Sequence, residues 1–403
     1  MIKVLRKIAS QQAINNFKHK PLALVANIKN NFPSRGMKII GVTGTDGKTT
    51  TVNMIYQILK AAGKKVSMVS TINAVVGKKE IETDFHVTSP SPFIIQKILK
   101  DAKKAGSEYV VLEVTSHALD QHRFLGIKFD IGVITNITHE HLDYHKTWTN
   151  YFNSKAKLIK NVKLAVLNKD ENYFSKLSKL TAGQVVSFGL KIADFNPENF
   201  SLKLKIPGDF NVLNGLVAAA VCSNLGVDKK IIQKVLAEFK NLPGRMEEIK
   251  NNREVKIVID FAHTPNGLEN ALQALRSQEI PGRLITIFGA EGQRDVKKRP
   301  MMGEIAQKLS DVVIVTAVDP RGEIKQINKQ IKKGAIKAEA IPGKNFYMIN
   351  DRKRAIYFAI NQLAQKGDTI GIFGKGHETS MNLDGKNEIP WSDRKVIEKT
   401  LNG

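Results

Sequence analysis

A glycine-rich run that ends in a lysine and two threonines is the clearest chemical signal in the chain. It reads Val42-Thr-Gly-Thr-Asp-Gly-Lys-Thr-Thr50 and stands between an apolar stretch at residues 38–42 and a helical pattern at residues 50–62. Glycines let the backbone turn tightly and direct its N–H groups at phosphates, and a helix start adds partial positive charge. Lys48 then suits the β- and γ-phosphates, and the Thr49 hydroxyl suits Mg²⁺. The run predicts a nucleotide-binding phosphate loop, although the general motif has glycine where Val42 stands.

Carboxylate and imidazole side chains follow two later apolar stretches in the same half of the chain. Glu113 lies at the end of the stretch at residues 109–114, and a carboxylate at a strand's C-terminal end beside a phosphate loop is well placed for Mg²⁺. The second group follows residues 131–135 and could hold a metal or serve only in surface hydrogen bonds: His139, Glu140, His141, Asp143 and His145.

These side chains need a scaffold that brings strand ends together, and the spacing of the apolar runs predicts one. Short β-rich runs alternate with helical stretches, which indicates βαβ units, mainly parallel sheets and an α/β fold. Weaker patterns at residues 185–188 and 200–206 predict some antiparallel strands. The main strands are expected at residues 38–42, 66–70, 109–114, 131–135, 164–167, 255–260, 284–288, 312–316 and 369–373.

The length of the chain indicates more than one hydrophobic core. It has 403 residues, of which 42% are hydrophobic, and single cores stop growing near about 250–300 residues. Turn residues in Asn241-Leu-Pro-Gly-Arg245 interrupt the strand–helix pattern and mark the main boundary. We predict a basic N-terminal segment at residues 1–37, a central nucleotide-binding domain at 38–241 and a C-terminal α/β domain at 242–403.

Composition excludes several classes of protein. Cys222 is the only cysteine, so the chain can form no intrachain disulfide. No run of about 18 apolar residues predicts a transmembrane helix, and the basic start has neither the apolar core nor the cleavage site of a signal peptide. We therefore expect a cytoplasmic protein.

The charge balance is strongly basic, with 62 Lys and Arg against 38 Asp and Glu and a formal net charge of +24. Such a field attracts nucleic acid, acidic membrane surfaces or phosphorylated substrates, unless the lysines are simply solvated. The sequence holds no zinc-finger cysteines, RNA-binding aromatic signature or helix-turn-helix pattern, so no nucleic-acid partner is expected.

The first 45 residues hold eight of these basic residues and no acidic one. Such a segment can form a basic amphipathic helix that contacts a membrane surface, or one that packs on the rest of the protein. The apolar residues that could share one helical face are Ile2, Leu5, Ile8, Ala9 and Phe17.

Together with the phosphate loop, several further segments resemble the Mur ligase family. The run Gly44-Thr-Asp-Gly-Lys-Thr49 is similar to that family's own phosphate loop, which accounts for the valine at position 42. The likeness extends from about residue 38 to residue 380 and is strongest to the MurE branch, which adds the third residue of the peptidoglycan stem peptide. The other matching segments are Thr88-Ser-Pro90, Glu113-Val-Thr-Ser-His117, Gln121-His-Arg123, Asn136-Ile-Thr-His-Glu-His-Leu-Asp143, Asn211-Val-Leu-Asn214, Leu242-Pro-Gly-Arg245, Asp260-Phe-Ala-His-Thr-Pro265 and Gly374-Lys-Gly-His-Glu378.

The resemblance implies a central P-loop ATPase domain with a mainly parallel sheet, a C-terminal Rossmann-like α/β domain, and a role for each matched position. The catalytic set would be Lys48, Glu113, His141 and Lys155. ATP would bind at Gly44, Thr45, Asp46, Gly47, Lys48, Thr49, Thr50, Asn211, Asn214, Arg245, Asp260 and His263. Two Mg²⁺ ions would bind at Thr49, Glu113, His141 and Lys155, and the family carbamylates the lysine that Lys155 matches. The acceptor would contact Thr88, Ser89, Thr115, Gln121 and Arg123, and the amino acid would contact Arg299, Asp319, Arg321, Gly374 and Glu378.

The implied reaction is an ATP-dependent ligation in peptidoglycan precursor synthesis. ATP would convert a carboxylate, which is a poor electrophile, to an acyl-phosphate that an amine then attacks. Two Mg²⁺ ions and Lys48 suit the concentrated negative charge of that step. The partners would be a muramoyl-dipeptide-type acceptor, small or lipid-linked, and a diamino acid such as diaminopimelate or lysine. We expect a monomer, with peripheral membrane contact through the basic N-terminus as one option.

The sequence departs from the MurE pattern in two places. Fewer than 45 residues precede the phosphate loop, so we expect the uridine-binding N-terminal domain to be missing and recognition of the uridine diphosphate to change. The run Val318-Asp-Pro-Arg321 stands where diaminopimelate-adding relatives have Asp-Asn-Pro-Arg. The change of two polar groups should alter how the far end of the amino acid is recognised.

Three alternative functions remain open at this point. Folylpolyglutamate synthetase belongs to the same superfamily and also lacks the uridine-binding domain, but the segments around Thr115, Arg123 and His141 resemble the muramyl ligases. A non-catalytic ATP-binding scaffold would not need the full set of Lys48, Thr49, Glu113, His141 and Lys155. A nucleic-acid-dependent NTPase would show ATP hydrolysis that DNA or RNA stimulates.

Overall fold

A computed structural model of the chain describes residues 11–82, 89–278 and 280–402. It divides into two compact units. Unit 1 holds the described parts of Met1–Ile137 with Thr147–Lys205 and Phe210–Phe239. Unit 2 holds Thr138–Lys146, Ile206–Asp209 and the described parts of Lys240–Gly403. The division predicted from the sequence, with limits at 37/38 and 241/242, stays a prediction.

Unit 1 is built on one eight-stranded sheet. Its strands are β1 (Lys38–Thr43), β2 (Val66–Val69), β3 (Asn73–Val76), β4 (Lys79–Glu82), β5 (Tyr109–Glu113), β6 (Ile131–Ile134), β7 (Leu164–Asn168) and β8 (Gln184–Phe188). They lie in the order β4-β3-β2-β5-β1-β6-β7-β8. All neighbours are parallel except the β2–β3 and β3–β4 pairs. Every residue of β5 and β7 is buried, as expected for parallel strands with both faces covered.

Helices supply the crossovers and cover the sheet of unit 1. One example is Pro92–Lys104, which starts with the Ser91 side chain accepting the Ile94 N–H and a proline at its first position. Its apolar face packs Ile95 and Leu99 into the core cluster that contains β5. The helices of this unit are Gln11–Ile14, the π-helical turn Asn15–His19, Lys20–Lys29, Lys48–Ala61, Pro92–Lys104, Ser116–Asp120, Trp148–Ala156, Phe174–Ser178, Asp209–Asn224 and Lys229–Glu238.

Unit 2 has its own six-stranded sheet and a separate hairpin. The strands are β9 (Glu247–Ile249), β10 (Lys256–Asp260), β11 (Leu284–Phe288), β12 (Val312–Val315), β13 (Phe346–Met348), β14 (Thr369–Phe373), β15 (Ser380–Asn382) and β16 (Glu388–Pro390). The sheet order is β13-β12-β11-β14-β10-β9, with only β9 antiparallel to its neighbour, and β15 pairs with β16. The helices are Leu142–His145, Pro265–Arg276, Lys298–Leu309, Ile324–Lys337, Arg352–Phe358, the π-helical turn Ala359–Leu363, and Asp393–Asn402.

The structure confirms the α/β class and the strands predicted from the main apolar runs. The prediction of antiparallel strands between residues 168 and 208 is wrong. β8 pairs parallel to β7, because the helix Phe174–Ser178 returns the chain to the same end of the sheet. Residues 200–206 form no strand, and their apolar side chains Phe200 and Ile206 are buried by packing instead. Within the described ranges no helix is both long and apolar enough to cross a bilayer.

Candidate active site

The phosphate loop, residues 44–49, connects β1 to the helix Lys48–Ala61 and is anchored by the end of β6. The Asn136 side-chain carbonyl accepts the backbone N–H groups of Thr45 at 3.1 Å and Asp46 at 2.9 Å. The Thr135 hydroxyl donates to the Asp46 carbonyl at 2.7 Å. Because these partners come from the neighbouring parallel strand, the sheet register sets the shape of the loop.

Gly47 is required at its position for two separate reasons. Its φ of +83° lies in the left-handed region, which side chains disfavour. A Cβ atom there would come within 2.4 Å of the Asn214 side-chain oxygen. Asn214 also accepts the Thr51 hydroxyl at 3.3 Å and donates to Asn211 at 3.4 Å. The structure thus places both predicted asparagines of the helix Asp209–Asn224 beside the start of the phosphate-loop helix.

A hydroxyl–carboxylate pair lies where the sequence predicts a magnesium site. The Thr49 hydroxyl lies 3.1 and 3.0 Å from the two carboxylate oxygens of Glu113. The Thr71 N–H donates to the same carboxylate at 2.8 Å, and Glu113 is only 3% exposed. Lys48 donates from its amine to the Thr45 carbonyl at 2.7 Å, which keeps it folded over the loop. Hydroxyl and carboxylate oxygens are the hard ligands that Mg²⁺ prefers, so this pair fits the ion chemically.

Lys155 directs a buried amine at the phosphate loop. Its Nζ donates to the Gly44 carbonyl at 2.5 Å, and the residue is 1% exposed. It also lies 4.7 Å above the ring of Tyr151, whose hydroxyl is 2.9 Å from the Thr45 hydroxyl. Sequence reasoning missed Tyr151, although the two residues are four apart on one helix and therefore share a face.

Four of the five predicted acceptor residues lie together at the C-terminal end of β5. The Ser89 hydroxyl accepts both the backbone N–H and the hydroxyl of Thr115 at 3.1 Å. Arg123 donates to the Ser89 carbonyl, and to the Gln121 side chain at 3.0 and 2.7 Å. Thr115 also caps the helix Ser116–Asp120 by accepting the Ala118 N–H. Thr88, the fifth, lies outside the described residues.

Side chains of the histidine-rich segment after β6 form ion pairs and hydrogen bonds within unit 2. His139 lies 2.9 Å from Asp295, and Glu140 accepts the amine of Lys298 at 3.1 Å. His141 lies 3.8 Å from Glu140 through its Nδ1. In the described part of the chain, no three acidic, histidine or cysteine side chains have the arrangement of a metal site. His141 as a magnesium ligand stays a prediction.

Three predicted nucleotide residues of unit 2 converge around Phe261 at the end of β10. Asp260 accepts the backbone N–H groups of Met246 and Ala262, each at 2.7 Å. The Arg245 guanidinium lies 4.5 Å from the Phe261 ring centroid. His263 packs on the same ring, with its Nδ1 3.1 Å from the Phe261 carbonyl. Sequence reasoning missed Phe261 as a site residue. Its position inside the matched motif Asp260–Pro265 could have indicated a role in the site.

The predicted amino-acid residues of unit 2 divide into two groups. Arg299, fully buried, donates to Glu323 at 3.0 Å and to Gln330 at 2.7 Å, and Arg321 donates to the Gly292 carbonyl at 2.9 Å. Gly374 lies close to the Val318 side chain. A Cβ atom added at Gly374 would be only 3.0 Å from a Val318 methyl group.

The second group is an ion cluster of Asp319, Lys375 and Glu378. The buried Lys375 amine lies 3.0 and 3.2 Å from the two Asp319 oxygens and 2.5 Å from Glu378. Sequence reasoning missed Lys375 as a site residue, although it stands inside the quoted Gly374–Glu378 motif.

Burial and neighbouring charges shift several pKa values in unit 2. Burial alone would raise the pKa of Glu291, but Lys298, His263, Arg294 and Arg321 lower it to about 2. Burial lowers the pKa of His377 to about 3, helped by the cations Arg245 and Lys375. Burial raises the pKa of Glu378 to about 7, although Lys375 pulls the other way. Burial opposes the charge of Lys375, yet Glu378 and Asp319 outweigh it and raise its pKa.

Comparison with known proteins matches both halves of the chain. Residues 42–222 match the model of the Mur ligase middle domain, and residues 244–376 match the Mur ligase, glutamate ligase domain. A UDP-N-acetylmuramoyl-L-alanyl-D-glutamate–2,6-diaminopimelate ligase of Clostridium botulinum is 37% identical, over 95% of this chain and 81% of its own length. The chain belongs to the Mur ligase family.

Solved structures agree with this Mur ligase assignment. The chain is similar to a solved UDP-N-acetylmuramoyl-L-alanyl-D-glutamate–2,6-diaminopimelate ligase with a TM-score of 0.61 and 27% identity, over 96% of this chain and 82% of that one. The MurF ligase of Thermotoga maritima, solved in complex with ADP, has a TM-score of 0.67 and 20% identity, over 95% and 83% of the two chains, and supports the fold. The predictions of a Mur-type ligase, of its MurE likeness and of its two-part α/β architecture are thereby confirmed.

Proposed function

We propose that this Mur ligase joins an amino acid to a carboxylate of a muramoyl-dipeptide acceptor through an acyl-phosphate, with ATP as the phosphoryl donor and Mg²⁺ as cofactor. The observation that carries the proposal is the phosphate loop, on which Lys48, the Thr49–Glu113 pair and the buried Lys155 amine converge. A chain with these contacts is 37% identical to a relative named for this reaction.

The phosphate loop would position the nucleotide for attack by the acceptor carboxylate. An oxygen of that carboxylate would attack the γ-phosphorus of ATP, with ADP as the leaving group, and form the acyl-phosphate. The amine of the second substrate would then attack the acyl carbon and expel inorganic phosphate. Lys48 and the backbone N–H groups of the loop oppose the negative charge of both steps, and a fixed site supplies the attack geometry.

Thr49 and Glu113 would hold Mg²⁺. When bound there, the ion would neutralise charge on the phosphoryl oxygens and orient them. Thr71 supports the proposal, because its N–H fixes the orientation of the Glu113 carboxylate. His141 is proposed as a further ligand from the family match alone.

Lys155 would carry a carbamate. The ammonium group would first give up one proton, and the neutral amine would then add to carbon dioxide and release a second proton. The product would be an anion beside the phosphate loop, which suits a second Mg²⁺. Lys155 is 1% exposed, and its amine lies 2.5 Å from the Gly44 carbonyl. Both observations support this role, because burial of a charged lysine costs folding free energy unless the charge is compensated. Tyr151 would hold the side chain in place through its ring.

The remaining nucleotide contacts are proposed from the family match and the observed placements. Asn211 and Asn214 lie beside the phosphate-loop helix in unit 1. In unit 2, Asp260 would accept ribose hydroxyls, and Arg245 and His263 would face phosphates. The planar guanidinium of Arg245 offers several N–H donors, so it suits a phosphate of the nucleotide.

The acceptor would lie against Ser89, Thr115, Gln121 and Arg123. Gln121 holds the Arg123 guanidinium through two hydrogen bonds, which presents a preorganised cation to an acidic peptide. The relative's name specifies a nucleotide-linked acceptor, and we propose the same class here. A lipid-linked acceptor and contact of the basic N-terminal segment with a membrane stay predictions.

The amino acid would lie in unit 2 among Arg299, Asp319, Arg321, Gly374 and Glu378. These residues offer fixed cations for a carboxylate and an anion for an ammonium group. A diamino acid fits this mixture of charges, and diaminopimelate and lysine are the candidates.

Ligation can be tested directly with purified protein. ATP-dependent phosphate release would be measured with UDP-muramoyl-Ala-Glu and a panel of amino acids, with products identified by mass. We expect a product heavier by one amino acid, formed only with ATP and Mg²⁺. Phosphate release without any such product would overturn the proposed acceptor, and a parallel reaction with a lipid-linked muramoyl dipeptide would then identify the other class.

A matched pair of variants on one helix tests the phosphate loop. Lys48→Ala should lower the ligation rate by at least about 100-fold, because it removes a cation from the transferring phosphoryl group. Lys60→Ala, at the exposed end of the same helix, should retain the wild-type rate. Equal ligation rates in the two variants would contradict the role assigned to Lys48.

A further inference from the structure

The helix Lys20–Lys29 of unit 1 presents an apolar face to solvent. Leu24, Val25 and Ile28 are 48%, 51% and 61% exposed, and Phe17, in the preceding π-helical turn, is 85% exposed. Leu24 and Ile28 are one helical turn apart and share a face, and Val25 lies beside them. Single exposed apolar side chains are ordinary on a protein surface, but a row of them on one face marks an interaction surface.

The opposite face of this helix is fixed to the rest of unit 1. Ala23, Ala26 and Asn27 are fully buried. The Asn27 side chain donates to the Ala23 carbonyl at 2.8 Å and to the Leu125 carbonyl at 2.5 Å. Rotation of the helix to bury its exposed row would break the hydrogen bond to Leu125, so the row stays directed outward.

The helix Pro92–Lys104 packs beside the helix Lys20–Lys29 and enlarges this surface. The Lys103 amine donates to the Arg35 carbonyl at 2.9 Å and so ties the second helix to the segment that follows the first. Two apolar side chains of its first turn, Phe93 and Ile94, are partly exposed. We call the exposed faces of residues 17–29 and 92–104 the docking surface.

The charge of the docking surface is almost entirely positive. Residues 17–29 hold three lysines and no acid, and residues 92–104 hold four lysines and one acid, Asp101. All seven lysines are exposed. A nucleic acid would pair with the lysines but would leave the apolar row in water. An anionic lipid bilayer accommodates both, because its headgroups attract lysine and the acyl boundary beneath them accepts apolar side chains.

We propose that the docking surface binds unit 1 to an anionic lipid bilayer, with Leu24, Val25 and Ile28 at the boundary between headgroups and acyl chains. The lysines on both helices then face the acidic headgroups. The proposal does not depend on the proposed ligase function. Of the helical face predicted from the sequence, the docking surface includes only Phe17, since the other four residues lie outside the described ranges: Ile2, Leu5, Ile8 and Ala9.

The test measures binding of the full chain to vesicles by co-sedimentation. Vesicles of equal parts phosphatidylglycerol and phosphatidylcholine should bind the protein at least about tenfold more strongly than vesicles of phosphatidylcholine alone. Ile28→Ser should lower the partition coefficient for the anionic vesicles at least about fivefold, since one apolar side chain no longer enters the lipid. Ile192→Ser is the matched control, because Ile192 is 83% exposed and follows the edge strand β8, at the far edge of the sheet from β4. It should bind like wild type.

A second pair of variants tests the charge. Lys29→Gln should lower binding to the anionic vesicles about fivefold, whereas Lys179→Gln, exposed just after the helix Phe174–Ser178, should have little effect. Thermal unfolding followed by circular dichroism should be unchanged in all four variants, because each replaced side chain is exposed.

Three outcomes would overturn the proposal. Wild-type binding in Ile28→Ser, with weaker binding in Lys29→Gln, would show attraction by the net charge alone. Equal losses in Lys29→Gln and Lys179→Gln would show that binding is not confined to the docking surface. Absence of wild-type binding to the anionic vesicles would exclude a lipid partner, and sedimentation equilibrium of wild type and Ile28→Ser would then show whether a second copy of the chain covers the apolar row.

Discussion

At the scale of single residues, the site depends on buried polar groups that each have a defined partner. Glu113 accepts from Thr49 and Thr71, and Lys155 donates to the phosphate loop. Buried charges cost free energy unless they are paired, so side chains retained in such positions are candidates for function. Lys155 is the sharpest case, because its amine contacts the loop at which phosphoryl transfer is proposed.

Replacement of Lys155 should nearly abolish ligation, whereas replacement of the nearby Lys157 should leave the ligation rate unchanged. Lys155→Ala should lower the rate at least about 100-fold, because the site loses the carbamate that is proposed to hold a second Mg²⁺ at the transferring phosphoryl group. Wild-type protein equilibrated with carbon-13 bicarbonate should show a carbamate signal that Lys155→Ala lacks. Lys157→Ala serves as the control, since the Lys157 side chain is 39% exposed and its amine pairs with Asp120. A wild-type rate in Lys155→Ala would refute the assignment.

At the scale of elements, strand ends and helix starts decide where the functional groups lie. The parallel neighbours β1, β5 and β6 end at one edge of the sheet, which brings the phosphate loop, Glu113 and Asn136 together. The same rule acts in unit 2, where Asp260 is the last residue of β10 and Val318 and Gly374 follow β12 and β14, which are parallel strands of the same sheet. Turns with positive φ complete both edges.

Two glycines lie at opposite ends of the helix Lys48–Ala61, and their substitution distinguishes the cost of backbone strain from the cost of a steric clash. Gly47 and Gly63 both have positive φ, at +83° and +73°, but only Gly47 has an atom within reach of an added Cβ. Gly63→Ala should cost about 1–2 kcal/mol of unfolding free energy. Gly47→Ala should cost more and should also weaken ATP binding, as measured by calorimetry. Equal losses of stability with unchanged ATP affinity would show that the Asn214 contact has no role.

A buried ion pair joins two helices of unit 2 and should be sensitive to a single substitution. Arg352 donates to both carboxylate oxygens of Asp393 at 2.7 Å, and both side chains are fully buried. Asp393→Asn should cost about 3–5 kcal/mol, because it leaves a buried guanidinium without its counter-ion. Glu398→Gln, in an exposed pair with Arg394, should cost less than about 1 kcal/mol. Hydrogen exchange in β14 would measure both, and similar protection in the two variants would contradict the argument.

At the scale of the whole molecule, charge is the dominant property. The net charge of +24 accords with substrates that carry phosphates and carboxylates, because a positive field raises the local concentration of anions. Folding favours the neutral form of two adjacent groups in unit 2. His377 is kept neutral by burial and nearby cations, and Glu378 has a raised pKa.

Stability of unit 2 between pH 4.5 and 6.5 should reflect a cancellation between these two groups. The pKa of His377 falls from 6.5 to about 3 on folding, so acid lowers stability in this window because only the unfolded chain takes up the proton. The pKa of Glu378 rises from 4.5 to about 7, so acid raises stability because only the folded chain takes up the proton. His377 contributes a slope of at most about 1.4 kcal/mol per pH unit. Glu378 contributes a smaller slope of opposite sign, because its side chain is 36% exposed and solvent screens its interactions.

Single variants should expose each slope in turn. In His377→Gln, the unfolding free energy of unit 2 should rise as pH falls from 7 to 4.5. In Glu378→Gln it should fall as pH drops below 6.5. Denaturant titrations at several pH values, followed by hydrogen exchange in β14, would measure both. Parallel curves for the two variants would contradict the assigned pKa shifts.

The sequence by itself determined the features that depend on neighbouring residues. The phosphate loop, the main parallel strands and the family follow from runs such as Gly44–Thr49 and the apolar stretches, because turn chemistry and strand propensity act over a few positions. The wrong prediction for residues 200–206 has the same origin, since an apolar run cannot show whether it packs as strand or as loop.

Tertiary structure alone decided which distant side chains meet. Lys155 contacts a loop 111 positions away, and Lys375 holds Asp319 across 56 positions. Their separation along the chain carries no signal, because strand order and register set these contacts and both depend on packing of the whole sheet. The ion cluster around Lys375 therefore became visible only when β12 and β14 were placed in one sheet.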